Sequence, residues 1–64
     1  MRAIADIIIT NHGSVLIVAP QNETAREWLE DHTDGMWYGG GLCVEPRYID
    51  GLMEGMENDG LVIH

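Results

Sequence analysis

The first third of the chain alternates short apolar runs with turn residues, which is the pattern of a β-hairpin. Residues 3–10 are rich in isoleucine and predict one strand, and residues 14–19 are apolar at nearly every position and predict a second. The Asn11-His12-Gly13 segment between them suits a turn, because glycine takes positive φ without steric cost. Pro20 is expected to end the second strand, since it has no N–H for the ladder.

The apolar positions then change to helical spacing and predict a first helix. Four of them fall at i, i+3, i+4 and i+7 and share one stripe. These positions are Ala25, Trp28, Leu29 and His32. Either Asn22 or Thr24 can cap this helix, and Thr24 with Glu27 matches a capping box. The Asp34-Gly35 pair is expected to stop the helix.

The second half of the chain predicts one strand and one helix. Residues 37–44 read as a third strand that Gly39–Gly41 interrupts, and the glycines indicate a bulge or close backbone packing. Pro46 suits the first turn of a second helix, and Gly60 suits its end. Residues 61–63 suit a short edge strand. The apolar positions of this helix are Tyr48, Ile49, Leu52, Met53 and Met56.

The order β-β-α-β-α, with or without a final strand, indicates an α+β fold. We expect a single domain over residues 1–64, in which two helices cover one face of a small, mainly antiparallel sheet. The other sheet face poses a problem, because the strands are apolar on both sides. Uncovered side chains there would include Ile4, Ile8, Leu16 and Val18. Either the face mediates a homodimer or binds a protein partner, or the final strand and loops cover it.

Charge narrows the classes of partner. The 64 residues include 11 acidic side chains and only three basic ones, all arginine, for a formal charge of −8. Such a field repels phosphate backbones and membrane surfaces and attracts basic proteins. We therefore expect a protein partner with a basic surface, no direct binding to nucleic acid and no binding to membranes.

The same sequence predicts a cytoplasmic protein. Cys43 is the single cysteine, so it cannot form an intramolecular disulfide and fits a reducing compartment. Asp6 interrupts the apolar stretch that a secretory signal would need after Met1. The longest apolar runs are too short to span a bilayer.

The acidic residues follow the helical repeat and form two ridges. The first ridge is Glu23, Glu27, Glu30 and Asp34, and the second is Asp50, Glu54 and Glu57. Like charges at this spacing cost a helix roughly 0.2–0.5 kcal/mol per pair. One interpretation is that the ridges mimic a phosphate backbone and dock in a basic groove. The other is that they are the solvated faces that any amphipathic helix has.

Adjacent aromatic residues add one feature to the candidate surface. Trp37 and Tyr38 are neighbours on a predicted strand, so their side chains point to opposite faces and one is expected to be an exposed interface anchor. The candidate partner-binding residues are Glu23, Glu27, Glu30, Asp34, Trp37, Tyr38, Asp50, Glu54 and Glu57.

The sequence lacks the patterns of catalysis, and we expect no enzymatic activity and no cofactor. The acids lie on polar faces, whereas a general acid needs a carboxyl group in an apolar pocket. Gly39–Gly41 is not followed by Gly-Lys-Ser/Thr, so it does not match a phosphate loop. Arg26 is expected to pair with Glu30 or Glu23. Arg47 has three candidate partners, which are Glu45, Asp50 and Glu54.

The candidate metal ligands lack the paired spacing of a structural zinc site, and no metal is expected. His12 is interpreted as a turn residue, His32 as a residue beside the core and His64 as a frayed end. Cys43 is interpreted as a small core hydrophobe.

Five segments together carry a resemblance to known proteins. They are Asn11-His12-Gly13-Ser14, Arg26-Glu27-Trp28, Trp37-Tyr38-Gly39, Val44-Glu45-Pro46-Arg47-Tyr48 and Asp59-Gly60-Leu61. With them the chain resembles, over nearly its whole length, a group of short acidic uncharacterised proteins of bacterial prophages and other mobile elements. That group carries no activity to transfer. The resemblance implies a phage or mobile-element context, in which small acidic proteins include inhibitors of host defence such as anti-CRISPR proteins.

Two functions follow as expectations. The first is a non-enzymatic inhibitor that docks its acidic helices on a basic surface of a host nucleic-acid-handling or defence complex. The second is a structural or assembly module that homodimerises through an apolar sheet face, with the charge keeping it soluble.

Overall fold

The computed structural model describes residues 5–64, which form four antiparallel strands and two helices. The predicted α+β class is confirmed, with one more strand than expected. The strands pair in the order β1-β2-β4-β3. Predictions that concern Met1, Ala3 and Ile4 lie outside the described residues. The elements are β1 Ile7–Asn11, β2 Leu16–Pro20, α1 Glu23–His32, β3 Met36–Tyr38, β4 Gly41–Val44 and α2 Pro46–Asn58.

The predicted first hairpin is confirmed, and the side chain of Asn11 shapes its turn. The Asn11 Oδ1 atom accepts a hydrogen bond from the Gly13 N–H at 2.8 Å, and Gly13 takes φ +84°. The His12 N–H donates to the Val15 carbonyl at 2.9 Å and closes the loop. Pro20 is the last residue of β2, at the position that the missing N–H predicts.

The prediction of one strand over residues 37–44 is wrong, because the chain reverses within it. β3 and β4 form a second hairpin whose loop is Gly39 and Gly40. Gly39 takes φ +62°, as the first loop position of a type II′ turn requires. The bulge interpretation is therefore wrong, and the close-packing interpretation holds at Gly41. A β-carbon there would collide with Cγ2 of Ile17.

Of the two candidate caps for α1, Asn22 is the one used. Its Oδ1 atom accepts from the Ala25 N–H at 2.8 Å, and its Nδ2 group donates to Asp6 Oδ1 at 2.6 Å. Thr24 lies inside the helix. The helix ends at His32, before the predicted Asp34-Gly35 stop, because Thr33 turns to an extended conformation and donates its hydroxyl to Leu29.

The second helix has the predicted bounds. Pro46 occupies its first turn, and Gly60 follows its end with φ +88°. The Gly60 N–H donates to the Glu57 carbonyl at 3.0 Å, and the Leu61 N–H donates to the Met56 carbonyl at 3.0 Å. This pair of bonds is the Schellman arrangement, which turns the chain back toward the sheet.

The segment 61–64 lies along β1 and extends the sheet by one parallel backbone pairing, between Ile7 and Ile63. The Val62 carbonyl accepts from the Asp6 and Ile7 N–H groups at 2.8 and 3.1 Å. The His64 N–H donates to the Ile7 carbonyl at 2.8 Å, and its carbonyl accepts from Ile9 at 3.3 Å. The expectation that His64 is frayed is therefore wrong.

The core lies between the helices and one face of the sheet. It consists of Ile7, Val18, Ala25, Leu29, Leu42, Val44, Met56 and Leu61. The expectation that Leu16 and Val18 would share an exposed face with Ile8 is wrong. β1 pairs Ile9 with Val18, and β2 pairs Val18 with Leu42, so this row faces the helices. Ile8 lies on the opposite face and is 41% exposed, as expected.

Candidate protein-binding surface

The acidic ridge of α1 lies on the exposed side of that helix. Glu23, Glu27 and Glu30 are exposed, opposite Ala25 and Leu29, which are fully buried. Asp34 is also exposed, but it lies two residues past the end of α1. The expectation that Asp34 continues the helical ridge is therefore wrong, and we define the α1 ridge as Glu23, Glu27 and Glu30.

The acidic ridge of α2 consists of Asp50, Glu54 and Glu57, all of which are exposed. Apart from the N-cap residue Glu45, the charges of α2 oppose its helix dipole. Its first turn holds no acidic residue, its last turn holds no basic one, and Glu57 is one residue from its end. Carboxylates stabilise the amino end of a helix and cations its carboxyl end, so this arrangement does not help α2 to fold.

The two ridges turn away from the contact between the helices. Trp28 of α1 packs against Gly55 of α2, where a β-carbon would lie 3.4 Å from the indole ring. With about 100° of rotation per residue, the three ridge carboxylates of each helix lie roughly 100–160° around it from that contact. The ridges are therefore two separate surfaces, each facing away from the other helix.

Few of the candidate carboxylates have a cation beside them. Across residues 5–64, Arg26 pairs with Glu30 at 3.1 Å and Arg47 pairs with Glu45 at 2.9 Å. Each arginine thus takes one of the partners that spacing allows. The remaining six candidate carboxylates have no ion pair within the part of the chain that the structure describes. They are Glu23, Glu27, Asp34, Asp50, Glu54 and Glu57.

The aromatic neighbours point to opposite sides of the sheet, as predicted. Trp37 is half-buried on the helix side, where the Arg26 guanidinium lies 5.1 Å from its ring centre. Tyr38 is 73% exposed on the other side. The structure therefore places Trp37 on the same side as the acidic helices and separates Tyr38 from them by the thickness of the sheet.

Asp59, which follows α2, forms a joint with Trp28 of α1. The sequence predicts no role for this carboxylate. Asp59 Oδ2 accepts a hydrogen bond from the Trp28 indole N–H at 2.5 Å and lies 4.0 Å from Nε2 of His32. The His32 ring stacks on Trp28 with centroids 3.9 Å apart and planes at 11°. No local signal could reveal this joint, because Trp28 and Asp59 are 31 residues apart.

Asp6 is the carboxylate that the fold uses most directly. Its Oδ2 atom accepts from the Val62 N–H at 2.9 Å, and its Oδ1 atom accepts from Asn22. The Val62 hydrogen bond, followed by the one from Asn22, lowers the pKa of Asp6 below its usual value because both stabilise the ionised form. Asp6 therefore links the start of β1 to the cap of α1 and to segment 61–64.

Two shallow apolar grooves flank β4. One, of about 490 Å³, runs between β4 and α2 beside Tyr48, Gly51 and Leu52. The other, of about 500 Å³, lies on the sheet side away from the helices, beside Ile17 and Tyr38. Cys43 borders both grooves and is partly buried, so it lies beside the core rather than within it.

The described residues contain no group of three or more His, Cys, Asp or Glu side chains placed to hold a metal ion. Within the same range, neither helix has the length and apolar character needed to cross a membrane. Comparison with known proteins yields no relative: no family model, curated protein or solved structure matches the chain.

Proposed function

We propose that the protein is a non-enzymatic binding protein that uses its acidic ridges to dock on a basic surface of another protein. The observation that supports this proposal is the set of six exposed candidate carboxylates without a cation partner among residues 5–64. An arginine- or lysine-rich surface would supply the missing counter-charges, and the gain would be greatest where the pairs lose contact with water.

The cost of the ridges to the fold supports the same proposal. Asp50 and Glu54, and Glu54 and Glu57, are like charges at i,i+4 and i,i+3, and each pair costs about 0.2–0.5 kcal/mol. Glu57 also lies at the unfavourable end of the α2 dipole. A sequence optimised only for folding would place lysine at some of these positions, and the chain has none.

The class of partner follows from the charge and from the resemblance to mobile-element proteins. Surfaces that bind nucleic acid are rows of basic residues, and a row of carboxylates on a rigid helix can occupy them in place of phosphates. We therefore propose a phage or mobile-element inhibitor of a host nucleic-acid-handling or defence complex, acting in the bacterial cytoplasm by nucleic-acid mimicry in the manner of anti-CRISPR proteins.

Competition with DNA tests this proposal and identifies the partner in the same experiment. Proteins of a bacterial extract are bound to DNA-cellulose, and the purified protein is added at constant ionic strength. We expect it to release a small, reproducible set of proteins that mass spectrometry identifies. The Glu54→Gln/Glu57→Gln variant should release much less, because two carboxylates of the α2 ridge are neutralised while their shape is kept.

A charge-matched control separates the ridge from net charge. His12→Lys/Ser14→Lys changes the net charge by the same two units at exposed positions of the β1–β2 loop, outside both helices. This control should release the same proteins as the original chain. Equal loss with both variants, or no release by the original chain, would contradict ridge recognition.

A further inference from the structure

The four strands β1–β4 place no Asp, Glu, Lys or Arg side chain on the sheet side that faces away from the helices. Register places one row from each strand on this side. We call it the outer face, and it consists of Ile8, Thr10, Ile17, Ala19, Met36, Tyr38, Gly41 and Cys43. The pairing of Ile63 with Ile7 places Val62 and His64 at the border of this face, beside β1. On a chain with formal charge −8, the absence of any acid from a face of this extent separates it from the helical side.

The outer face also holds the most exposed large apolar side chains of β1 and β3. Met36 is 74% exposed, Tyr38 is 73% exposed and Ile8 is 41% exposed. Between the β1–β2 loop and Tyr38 runs the groove of about 500 Å³, with Ile17 and Cys43 along it. A contiguous apolar patch beside a groove marks an interaction surface on a small soluble domain.

Charge decides which occupant fits this face. A basic partner gains nothing there, because the face offers no carboxylate, and such a partner would be drawn to the ridges instead. A second copy of the chain carries the same negative charge on its helical side, so it can approach closely only through an uncharged face.

Face-to-face packing also keeps the ridges of the two copies as far apart as the fold allows. Packed sheets lie about 10 Å apart, and each helical layer lies on the far side of its own sheet. The two sets of carboxylates are then separated by two sheets, well beyond the Debye length of about 10 Å at 0.1 M salt.

The shape of the outer face suits a twofold contact. In such a contact the same patch serves both subunits, so a protruding group must lie beside a recess that can receive its equivalent. Tyr38 protrudes at the rim of the groove that contains Ile17 and Cys43. A twofold axis that passes beside this groove can bring the Tyr38 side chain of each copy over the groove of the other.

We propose that the outer face binds the outer face of a second copy, forming a four-layer α-β-β-α homodimer. This inference is independent of the proposed docking of the acidic ridges, which remain exposed on both ends of the dimer. The four strands have five, five, three and four residues, and at a spacing of about 4.8 Å and about 3.3 Å per residue they give a face of roughly 270 Å² in plan. That area is below the standard of about 800 Å² per partner, so the dimer is weak and concentration-dependent.

Sedimentation equilibrium over a concentration series tests the proposal directly, at about pH 8 in reducing buffer. We expect a monomer–dimer equilibrium that is maintained or strengthened as salt rises, because salt screens repulsion between the two copies. A monomer at every concentration up to about 1 mM overturns the proposal. Dissociation of a dimer by added salt also overturns it.

Two outer-face variants locate the contact. Thr10→Glu places a charge at an exposed position of β1, and Tyr38→Glu places one at the opposite edge of the sheet. Both should shift the dissociation constant at least tenfold. Thr24→Glu adds the same charge at an exposed position of α1 and should leave it unchanged. If only Tyr38→Glu acts, the copies pair through the β3 edge, and if neither acts they use another surface; either result overturns the proposal.

The unmodified chain provides a second readout, which does not depend on any variant folding. Cys43 borders the groove on the outer face, so a second copy should shield its thiol. We expect the second-order rate of alkylation by iodoacetamide to fall as the protein concentration passes through the dimer dissociation constant. A rate that stays constant across a sedimentation-defined dimer transition overturns the face-to-face contact.

Discussion

The helical side and the outer face of the sheet differ in how they can bind other proteins. Among the described residues, the helical side carries two carboxylate ridges with few internal counter-charges, whereas the strands of the outer face carry mainly apolar side chains and no Asp, Glu, Lys or Arg. Attraction through the first must weaken as salt rises, and association of like-charged copies through the second must not. The comparison shows that one small domain can hold two binding surfaces with opposite responses to salt.

The largest expected effect on the free energy of unfolding comes from Ile7 of β1, and its neighbour Ile8 provides the contrast. Ile7 faces the helices and is fully buried, whereas Ile8 faces outward and is 41% exposed. We expect Ile7→Ala to lower the free energy of unfolding by about 2–5 kcal/mol, because it leaves a cavity in the core. Ile8→Ala should cost less than about 1 kcal/mol in the monomer. Urea denaturation at low protein concentration measures both, and equal losses would contradict the assignment of the two faces.

Asn22 tests how the helical layer is attached to the sheet. Its side chain caps α1 at Ala25 and donates to Asp6 on the strand side. We expect Asn22→Ala to lower the free energy of unfolding by about 1–2 kcal/mol, since a cap and a link to Asp6 are lost together. Asn22→Ser keeps a cap acceptor and removes the amide donor to Asp6 without adding a charge beside it. A smaller loss with Ser than with Ala supports this division, and a larger loss would contradict it.

Asp6 is a carboxylate that the fold uses, in contrast to the ridge carboxylates, which it leaves exposed. Because its pKa is lowered in the folded state, its contribution is present above its unfolded pKa of about 4 and is lost as pH falls through the folded pKa. We expect Asp6→Asn to flatten the acid limb of stability against pH below about pH 4. Thermal melts from pH 2 to pH 7 provide the measurement. An unchanged acid limb would mean that other carboxylates produce it.

The ridge carboxylates are expected to give the smallest effect on stability. Glu54→Gln/Glu57→Gln removes a like-charge pair on α2 and should leave stability unchanged or raise it by a few tenths of a kcal/mol. Urea denaturation at neutral pH provides the check. A loss above about 1 kcal/mol would show that these side chains serve the fold, and the recognition proposal would lose its main support.

Local signals predicted the parts of the fold that depend on nearby residues. The turn at Asn11 and Gly13, the start of α2 at Pro46 and the reversal at Gly60 each follow from the conformations that these residues prefer. The second hairpin was missed because three consecutive glycines permit a bulge or a turn, and only pairing with β2 selects a turn at Gly39.

Which face of each strand is buried cannot be predicted from any single segment of the sequence. Side chains alternate between the two faces of β1 and of β2, so each strand offers two possible buried faces. The register that pairs Ile9 with Val18 decides which face of each strand packs against the helices. The joint between Trp28 and Asp59 likewise depends on the packing of α1 against α2. For the candidate surface, periodicity predicted the exposure of the carboxylates. It could not predict that Tyr38 lies on the far side of the sheet.

The salt dependence of binding to a protein released from DNA-cellulose tests the central claim most directly. We predict that the affinity falls steeply between about 50 and 300 mM NaCl, and that Glu54→Gln/Glu57→Gln lowers both the affinity and the slope. An affinity that does not change over this range, or a double variant that binds like the original chain, would contradict recognition through the acidic ridges.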